Sequence, residues 1–378
     1  MDATNVHEGV ARIAESWAAD RAARQARRAL DPADFAALRD AGFTLTGVPV
    51  ELGGIWHDIR SSTRDVAEIL RTIAHADPSV ALVSSMHPAV LSFWLATPKV
   101  PDGDADAWHA QRDLFFEQAR TDWFGTITSE PGSGGDVAKT KAAARRDGET
   151  WRLTGQKHFG SGSGVTSFMV TSGLPEGESE PDWFMFDLRG VPWDGSKGVK
   201  LLAEWDGHGM VATQSHGFMF EDFPATRIAW PGHWRAVSDA AMPFIGTLFT
   251  SVVLGVVQTA VEAARAQLGK NPSGMRPYEQ LEWARAEQEA WLAEQAFEGM
   301  LRAVETKDVP NRDVLTGKET IAGLAESCLL RICRVIGGGT FSRHSPFGHW
   351  FEDVRALGFL RPPWGLAYDS LFASGFPV

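Results

Sequence analysis

Residues 126–136 read TITSEPGSGGD, a run of small hydroxyl side chains that passes through Glu-Pro into a glycine turn closed by an aspartate. The glycines allow positive φ and close backbone approach, and Pro131 fixes the direction in which the chain enters the turn. Taken alone, the run is typical of a surface hairpin stabilised by hydroxyl and carboxylate caps. A second block is needed before it indicates a binding site.

That second block is LTGQKHFGSGSG, residues 153–164, which follows a hairpin-turn signal at Asp147-Gly148. Apolar and polar residues alternate across its first half, as they do in a half-buried strand. We therefore predict that both blocks lie in one β-region.

The rest of the chain is predicted to be helical on both sides of this region. Asp-Pro pairs at 31–32 and 77–78 have the residue types of an N-cap and a first helical turn. Helical periodicity covers residues 1–120 and returns over 233–378, whereas residues 121–232 show short strands with Gly, Pro and Asp turns. The sequence thus predicts three domains: N-terminal helical, middle β and C-terminal helical.

The composition of the chain excludes several classes of function. The chain has 378 residues and a net charge of -12, from 36 basic and 48 acidic side chains, which argues against nucleic acid or an anionic membrane as the main partner. Cys328 and Cys333 are the two cysteines and form neither a disulfide framework nor a CxxC motif. We find no long uninterrupted apolar run and no export pattern at the N-terminus, so we expect a cytoplasmic protein.

Four segments together resemble the acyl-CoA dehydrogenase superfamily: the two blocks above, residues 207–232 (GHGMVATQSHGFMFEDFPATRIAWPG) and residues 336–359 (IGGGTFSRHSPFGHWFEDVRALGF). They occur in the same order and at compatible spacing. The resemblance implies an α+β fold with an N-terminal helical domain, a middle β-barrel or sandwich, and a C-terminal four-helix bundle. It also implies one FAD per subunit, in a homodimer or homotetramer whose neighbouring subunit completes the cofactor site.

The same resemblance assigns flavin contacts. Hydroxyl and backbone groups at the start of the first block correspond to positions on the pyrimidine edge of the flavin, where hydrogen-bond donors stabilise the reduced ring. The second block supplies an aromatic residue packed on the isoalloxazine and a hydroxyl near flavin N5. These positions are Thr126, Thr128, Ser129, Phe159 and Ser161.

Three further positions correspond to the phosphate end of FAD. Gly337 and Gly338 match the glycine turn whose backbone N–H groups approach the diphosphate. Lys270 stands where the partner subunit usually offers an arginine, so the charge is kept without the bidentate geometry. In addition, Gly135 replaces a serine that often closes the turn near the CoA phosphopantetheine arm.

The residue at the catalytic position departs from the family. Acyl-CoA dehydrogenases use a glutamate base, and its commonest position falls on Arg361, which stays protonated and cannot act as a base. The second known position of that base falls in the apolar stretch 244–247. A divergent dehydrogenase with a relocated base is one alternative, with Glu204, Asp206 and Asp369 as candidates.

A related branch of the superfamily, the reduced-flavin-dependent monooxygenases, needs no such base. Its typical residues are a histidine on an N-terminal core helix, a Ser-Gly after the lysine strand and a histidine before C-terminal prolines. His87 and Ser161 match the first two, and Arg361 stands at the third, so we predict these three as catalytic. His87 equally fits a hydrogen-bonded core histidine.

The sequence therefore predicts a flavin-dependent oxidoreductase, leaning toward oxygenation or another base-independent reaction over dehydrogenation of an acyl thioester. A catalytically silent flavin-binding protein is a second alternative. The expected substrate is an acyl thioester or an aromatic or apolar compound, and the expected partner is a flavin reductase or an electron-transfer flavoprotein. His344 and His349 have no third ligand nearby in sequence, so no metal site is predicted.

Overall fold

The computed structural model describes residues 2–97 and 99–376. In its N-terminal part both Asp-Pro pairs begin helices. The carboxylates of Asp31 and Asp77 accept hydrogen bonds from the N–H groups of Ala33 and Val80, which satisfies free donors of the first turn. The helices are α1 Ala3–Ala19, α2 Arg21–Ala26, α3 Pro32–Asp40, α4 Ile59–Ala76, α5 Pro78–Leu95 and α6 Asp102–Ala119.

Seven strands follow and form a barrel. Strand β4 pairs with β2, and the ladder continues through β3, β7 and β5 back to β4, so the sheet closes on itself. The pairs β1–β4 and β2–β4 are parallel and the others antiparallel. The strands are β1 Phe124–Thr126, β2 Ala143–Asp147, β3 Thr150–Gly160, β4 Phe168–Pro175, β5 Asp182–Asp187, β6 Val199–Ala203 and β7 His216–Arg227.

The C-terminal part is a bundle of three long helices with shorter ones alongside. The short helix α10 packs against α7 and α9, and α4 of the N-terminal part packs against α7 and α8. The helices are α7 Trp234–Leu268, α8 Pro277–Thr306, α9 Asn311–Ile336, α10 Pro346–Val354 and α11 Trp364–Gly375. The predicted α+β architecture, with a β-domain between two helical regions, is confirmed.

Helices α5 and α7 hold the helical regions together. Both are long and apolar enough to span a membrane, but 89% of each apolar window is buried inside the protein. They pack against each other and, together with α4, contribute most of their apolar residues to one continuous core. Burial within the protein therefore accounts for their apolar composition.

Candidate functional site

The two sequence blocks come together in the folded chain. The His158 N–H donates to the Ser129 carbonyl oxygen at 2.8 Å, which forms a bridge between the blocks. A side chain at Gly160 would lie 2.9 Å from Ile127 Cδ1, so glycine permits this close approach. The segments that the resemblance assigns to the flavin thus form one surface.

A buried ion pair fixes this surface from behind. Lys157 Nζ lies 2.6 Å from Glu130 Oε1, and neither side chain is more than 5% exposed. The Glu130 carboxylate also accepts hydrogen bonds from the N–H groups of Lys141 and Ala142, while Lys157 donates to the Ser172 carbonyl oxygen at 2.5 Å. Burial lowers the pKa of Lys157 to about 8, opposed by the charge of Glu130. The Glu-Pro motif and the lysine strand are therefore one polar unit.

The hydroxyl edge of the first block is free to bind a ligand. Within residues 2–97 and 99–376 the hydroxyls of Thr128 and Ser129 make no hydrogen bond, and Thr126 Oγ1 has a single long contact, 4.0 Å to Met86 Sδ. Thr126 and Thr128 line the larger cavity described below. Unused hydroxyls along one edge fit the polar pyrimidine edge of an isoalloxazine, so the residues present fit a flavin.

The second block presents an aromatic ring directly after His158, the residue that bridges to Ser129, but Phe159 and Ser161 are not among the residues that line the cavity described below. Phe159 has φ 58° and its side chain is 57% exposed, an unusual combination for a large apolar residue. Its ring meets Trp205 edge to face, with 6.2 Å between centroids. Ser161 follows, and its hydroxyl lies 2.8 Å from that of Ser215. An exposed aromatic ring held at a left-handed backbone position is consistent with packing on a ligand.

A cavity of about 640 Å³ separates this surface from the C-terminal bundle. Helices α5, α7, α9 and α11, together with the turn after Ser133, form its walls. The walls are mainly apolar and rich in aromatic and sulfur side chains, which suits a flat apolar guest. The largest of these are Met86, Phe93, Trp183, Trp234, Met242 and Phe249.

Arg361 supplies the cavity with a cation that has no partner. It lines the cavity and is half-buried, and it makes no ion pair or hydrogen bond with the residues that the structure describes. Burial lowers the pKa of Arg361 to about 10, opposed by the charge of Asp136, so the side chain is still protonated at neutral pH. A cation in an apolar wall favours binding of a negatively charged group there.

Two neighbouring contacts hold the segment that carries Arg361. Lys318 Nζ donates to the Pro362 carbonyl oxygen at 2.9 Å and pairs with Glu319 at 2.7 Å. A side chain at Gly135 would lie 3.1 Å from Pro363 Cγ. The Pro363 ring and the positive φ of 81° both disfavour a side chain at position 135.

His87 does not line the cavity, although its neighbours Met86 and Ala89 do. The ring is fully buried: Nε2 lies 2.8 Å from the Thr44 carbonyl oxygen, and Nδ1 accepts from the Phe124 N–H at 3.2 Å. Burial lowers its pKa to about 4. Both ring nitrogens already make hydrogen bonds, so neither is free for the catalytic role predicted for His87. That role stays a prediction.

The predicted phosphate-contact residues lie far from the cavity of their own chain. Lys270 follows α7 and Gly337 follows α9, whereas the nearest lining residues on these helices are Phe249 and Lys318. About 20 residues separate each pair, which corresponds to about 30 Å along a helix. Lys270, Gly337 and Gly338 therefore lie at helix ends that are remote from the cavity.

The candidate bases lie at different places. Asp369 lines the cavity, whereas Glu204 and Asp206 flank Trp205 outside it. The sequence search missed Asp239, which also lines the cavity; burial raises its pKa. Asp239 precedes the stretch 244–247 on α7, and its helical spacing from that stretch is the only sequence signal that would have indicated it.

Comparisons with known proteins agree with this geometry. The profile of the acyl-CoA dehydrogenase middle domain matches residues 125–223. Dibenzothiophene monooxygenase from Mycolicibacterium goodii is 27% identical over 243 residues, which cover 60% of this chain and 54% of that enzyme. The chain thus spans about half the length of this relative.

A second relative, the amino sugar nitrososynthase DnmZ of Streptomyces peucetius, is 25% identical over 359 residues, or 87% of this chain and 82% of that enzyme. Among solved structures, FMN-bound TdsC from Paenibacillus sp. A11-2 is 18% identical with a TM-score of 0.79, covering 98% of this chain and 97% of that one. The structural likeness extends the shared fold to both helical regions.

Proposed function

Because the chain belongs to the acyl-CoA dehydrogenase superfamily, a group of flavin-dependent enzymes, we propose that it is a reduced-flavin-dependent monooxygenase acting on an apolar, aromatic small molecule. The observation that carries this proposal is the cavity: an apolar space beside the hydroxyl edge, with Arg361 in its lining. The resemblance puts the base of a dehydrogenase at this position. The two curated relatives carry the names of a monooxygenase and a nitrososynthase.

The residues of this chain have distinct tasks in that reaction. Thr126, Thr128, Ser129 and Phe159 would hold the flavin, and the cavity would orient the substrate and exclude water. Bound reduced flavin supplies two electrons, so that one oxygen atom of O₂ enters the substrate and the other becomes water. Arg361 would stabilise negative charge that develops beside the flavin, an effect that is stronger in a dry pocket than in water.

We propose FMN as the flavin, although the sequence predicts FAD. The compared structure contains FMN, and the phosphate-contact residues of this chain lie about 30 Å from the cavity. FAD would have to reach Lys270 of a second subunit. Titration of the purified protein with both flavins, followed by fluorescence and thermal stability, compares them directly.

A homo-oligomer and a separate source of reduced flavin complete the proposal. Large apolar side chains are exposed on the C-terminal bundle, including Tyr278, Trp291 and Phe341, which is fully exposed. These exposed rings support association of two or four copies. Light scattering that gives a 41.2 kDa monomer with intact flavin binding would contradict it.

The test combines chemically reduced FMN, oxygen and a panel of bicyclic and tricyclic aromatic heterocycles, including dibenzothiophene and indole. We expect a product heavier by one oxygen atom, and none with oxidised FMN. In parallel, straight-chain acyl-CoA is added anaerobically to protein that carries oxidised flavin. Rapid stoichiometric bleaching there would overturn the proposal and favour a dehydrogenase whose base is Asp239 or Asp369.

A further inference from the structure

A chain of hydrogen bonds ends on Ser161, the hydroxyl that the resemblance places near flavin N5. Ser161 Oγ lies 2.8 Å from Ser215 Oγ, and Ser215 Oγ lies 2.8 Å from Thr213 Oγ1. Thr213 Oγ1 in turn lies 2.9 Å from the Met210 carbonyl oxygen. All three hydroxyl residues are buried, each at most 8% exposed.

The carbonyl end of this chain sets the direction of every bond in it. A carbonyl oxygen only accepts, so the Thr213 hydroxyl must donate its single hydrogen to Met210. If that hydrogen turned to Ser215 instead, two oxygens without a hydrogen between them would face each other at 2.9 Å. Ser215 therefore donates to Thr213, and Ser161 donates to Ser215.

Further hydrogen bonds hold the Met210 end of this series of hydroxyls in place. The Met210 N–H donates to Asp353 Oδ1 at 2.7 Å, and the Trp205 indole N–H donates to the Met210 carbonyl oxygen at 3.1 Å. The Thr213 carbonyl oxygen also accepts from the Gly162 N–H at 2.8 Å, which ties this loop to the residue after Ser161. The orientation of the three hydroxyls is thus built into the loop.

We propose that Thr213 and Ser215 are positioning residues that hold Ser161 as a hydrogen-bond acceptor toward the flavin, so that the site favours reduced over oxidised cofactor. With N5 beside Ser161, as the resemblance implies, reduced flavin would donate its N5 hydrogen to Ser161, whereas oxidised flavin would offer only a lone pair there. Two facing lone pairs repel, and an unmet hydrogen bond in a buried site is costly. This inference rests on the proposed flavin function.

The experiment measures dissociation constants of oxidised FMN and of anaerobically reduced FMN on the same protein. Thr213→Val removes the hydrogen that sets the direction, and Ser215→Ala removes the link next to Ser161. In either variant the Ser161 hydroxyl is free to turn and donate to oxidised N5. We expect the preference for reduced flavin to fall about tenfold, the order of one hydrogen bond.

Thr166→Val is the matched control. Its buried hydroxyl donates to the Gly162 carbonyl oxygen at 2.8 Å, in the loop that follows Ser161, but it is not part of the chain. This variant should keep the wild-type preference. The double variant of Thr213 and Ser215 should lose no more than either single one, because the two residues act in series.

The outcomes separate this inference from the proposed function. If wild-type protein binds neither form of FMN or FAD, both are overturned. If it binds flavin but the preference is the same in wild type, Thr213→Val and Ser215→Ala, the proposed function stands and the positioning role is refuted. Circular dichroism of each variant confirms that the fold is retained.

Discussion

The two sides of the cavity are built on different principles. On the middle-domain side, buried polar groups satisfy one another over short distances, as in the Glu130–Lys157 pair and the hydroxyl chain to Ser161. On the helical side the wall is mainly apolar and carries two arginines. Arg312 donates a hydrogen bond to Ser374 Oγ at 3.1 Å, whereas Arg361 makes no ion pair or hydrogen bond with the residues that the structure describes. The first side holds its shape without a ligand, while the second leaves a charge for a ligand to neutralise.

Under the proposed function, this difference separates the surface that would bind the cofactor from the wall that would determine the reaction. A rigid, internally satisfied surface suits a cofactor that is shared by a whole superfamily. A wall assembled from four helices changes with any of its side chains, and Arg361, at the position where the resemblance puts a base, would be such a change. The predictions below test each side in turn.

The largest effect is expected at Lys157. Lys157→Met leaves the Glu130 carboxylate buried and unpaired, so the free energy of unfolding should fall by about 3–5 kcal/mol. Chemical denaturation measures it. Lys139→Met is the control, since Lys139 is 64% exposed and its distance to Asp136 is 3.7 Å; about 0–1 kcal/mol is expected there. Equal losses in both variants would mean that the buried pair does not hold the blocks together.

The middle-domain side was also the part that sequence could predict. The blocks at 126–136 and 153–164 are contiguous, and their glycines, hydroxyls and strand alternation are local signals. The β-domain between helical regions followed from them. What the sequence did not show is that Glu130 and Lys157 form a pair, because 27 residues separate them and the contact depends on the fold.

The helical side could not be predicted in the same way. Trp183, Trp234 and Asp239 reach the cavity from β5 and α7, and no local pattern distinguishes them from core residues. Arg361 was found only because the resemblance supplied an alignment. For His87 the core alternative agrees with the geometry, because backbone groups of Thr44 and Phe124 occupy both ring nitrogens.

The next effect concerns Arg361 itself. Arg361→Met keeps much of the side-chain volume but removes the charge, and kcat/KM for oxygenation should fall about 10- to 100-fold, which is about 1.4–2.7 kcal/mol. Arg355→Met, at an exposed pair with Glu352, should leave kcat/KM unchanged. Unchanged activity in Arg361→Met would show that the cation takes no part in the reaction.

The reverse change is also informative. Arg361→Glu restores a carboxylate at the dehydrogenase position while removing the cation. We expect at most weak anaerobic flavin bleaching with straight-chain acyl-CoA, because Gly135 and Pro363 remain next to the turn where the resemblance puts the CoA arm. Bleaching as rapid as in a dehydrogenase would show that the base alone separates the two reactions.

A smaller effect is expected in the dependence of stability on pH. Burial raises the pKa of Asp353 to about 7 from 3.8, so its stabilising contribution is complete below pH 3.8 and is lost as pH rises through 7. His87, with its pKa lowered to about 4 from 6.5, acts in the opposite direction: its contribution is present above 6.5 and is lost as pH falls. In the wild type, the opposite slopes that Asp353 and His87 give to the free energy of unfolding therefore partly cancel between pH 4 and 6.5.

Asp353→Asn should expose the slope that belongs to His87. The amide oxygen still accepts from the Met210 N–H, and only the titration is removed. Between pH 4 and 6.5 the variant should lose stability on acidification more steeply than wild type, by at most about 1.4 kcal/mol per pH unit. Urea titrations over this range measure the difference. Asp106→Asn, on an exposed face of α6, should leave the wild-type slope unchanged.

The smallest effect on stability is expected at the contact between the two sides of the cavity, where Gly135 meets Pro363. Gly134 and Gly135 have φ of 63° and 81°, so replacing either by alanine costs about 1–2 kcal/mol of backbone strain. Only at Gly135 does the new Cβ also meet a neighbour, Pro363 Cγ at 3.1 Å, while nothing lies within 4 Å at Gly134. We expect Gly135→Ala to be less stable than Gly134→Ala by about 1 kcal/mol, the lower end of the range for overpacking. In a Pro363→Ala background the ring is gone and this difference should vanish, since the two residues interact directly. If the difference survives without the ring, backbone strain alone excludes a side chain at 135, and the contact between the two sides has no part in it.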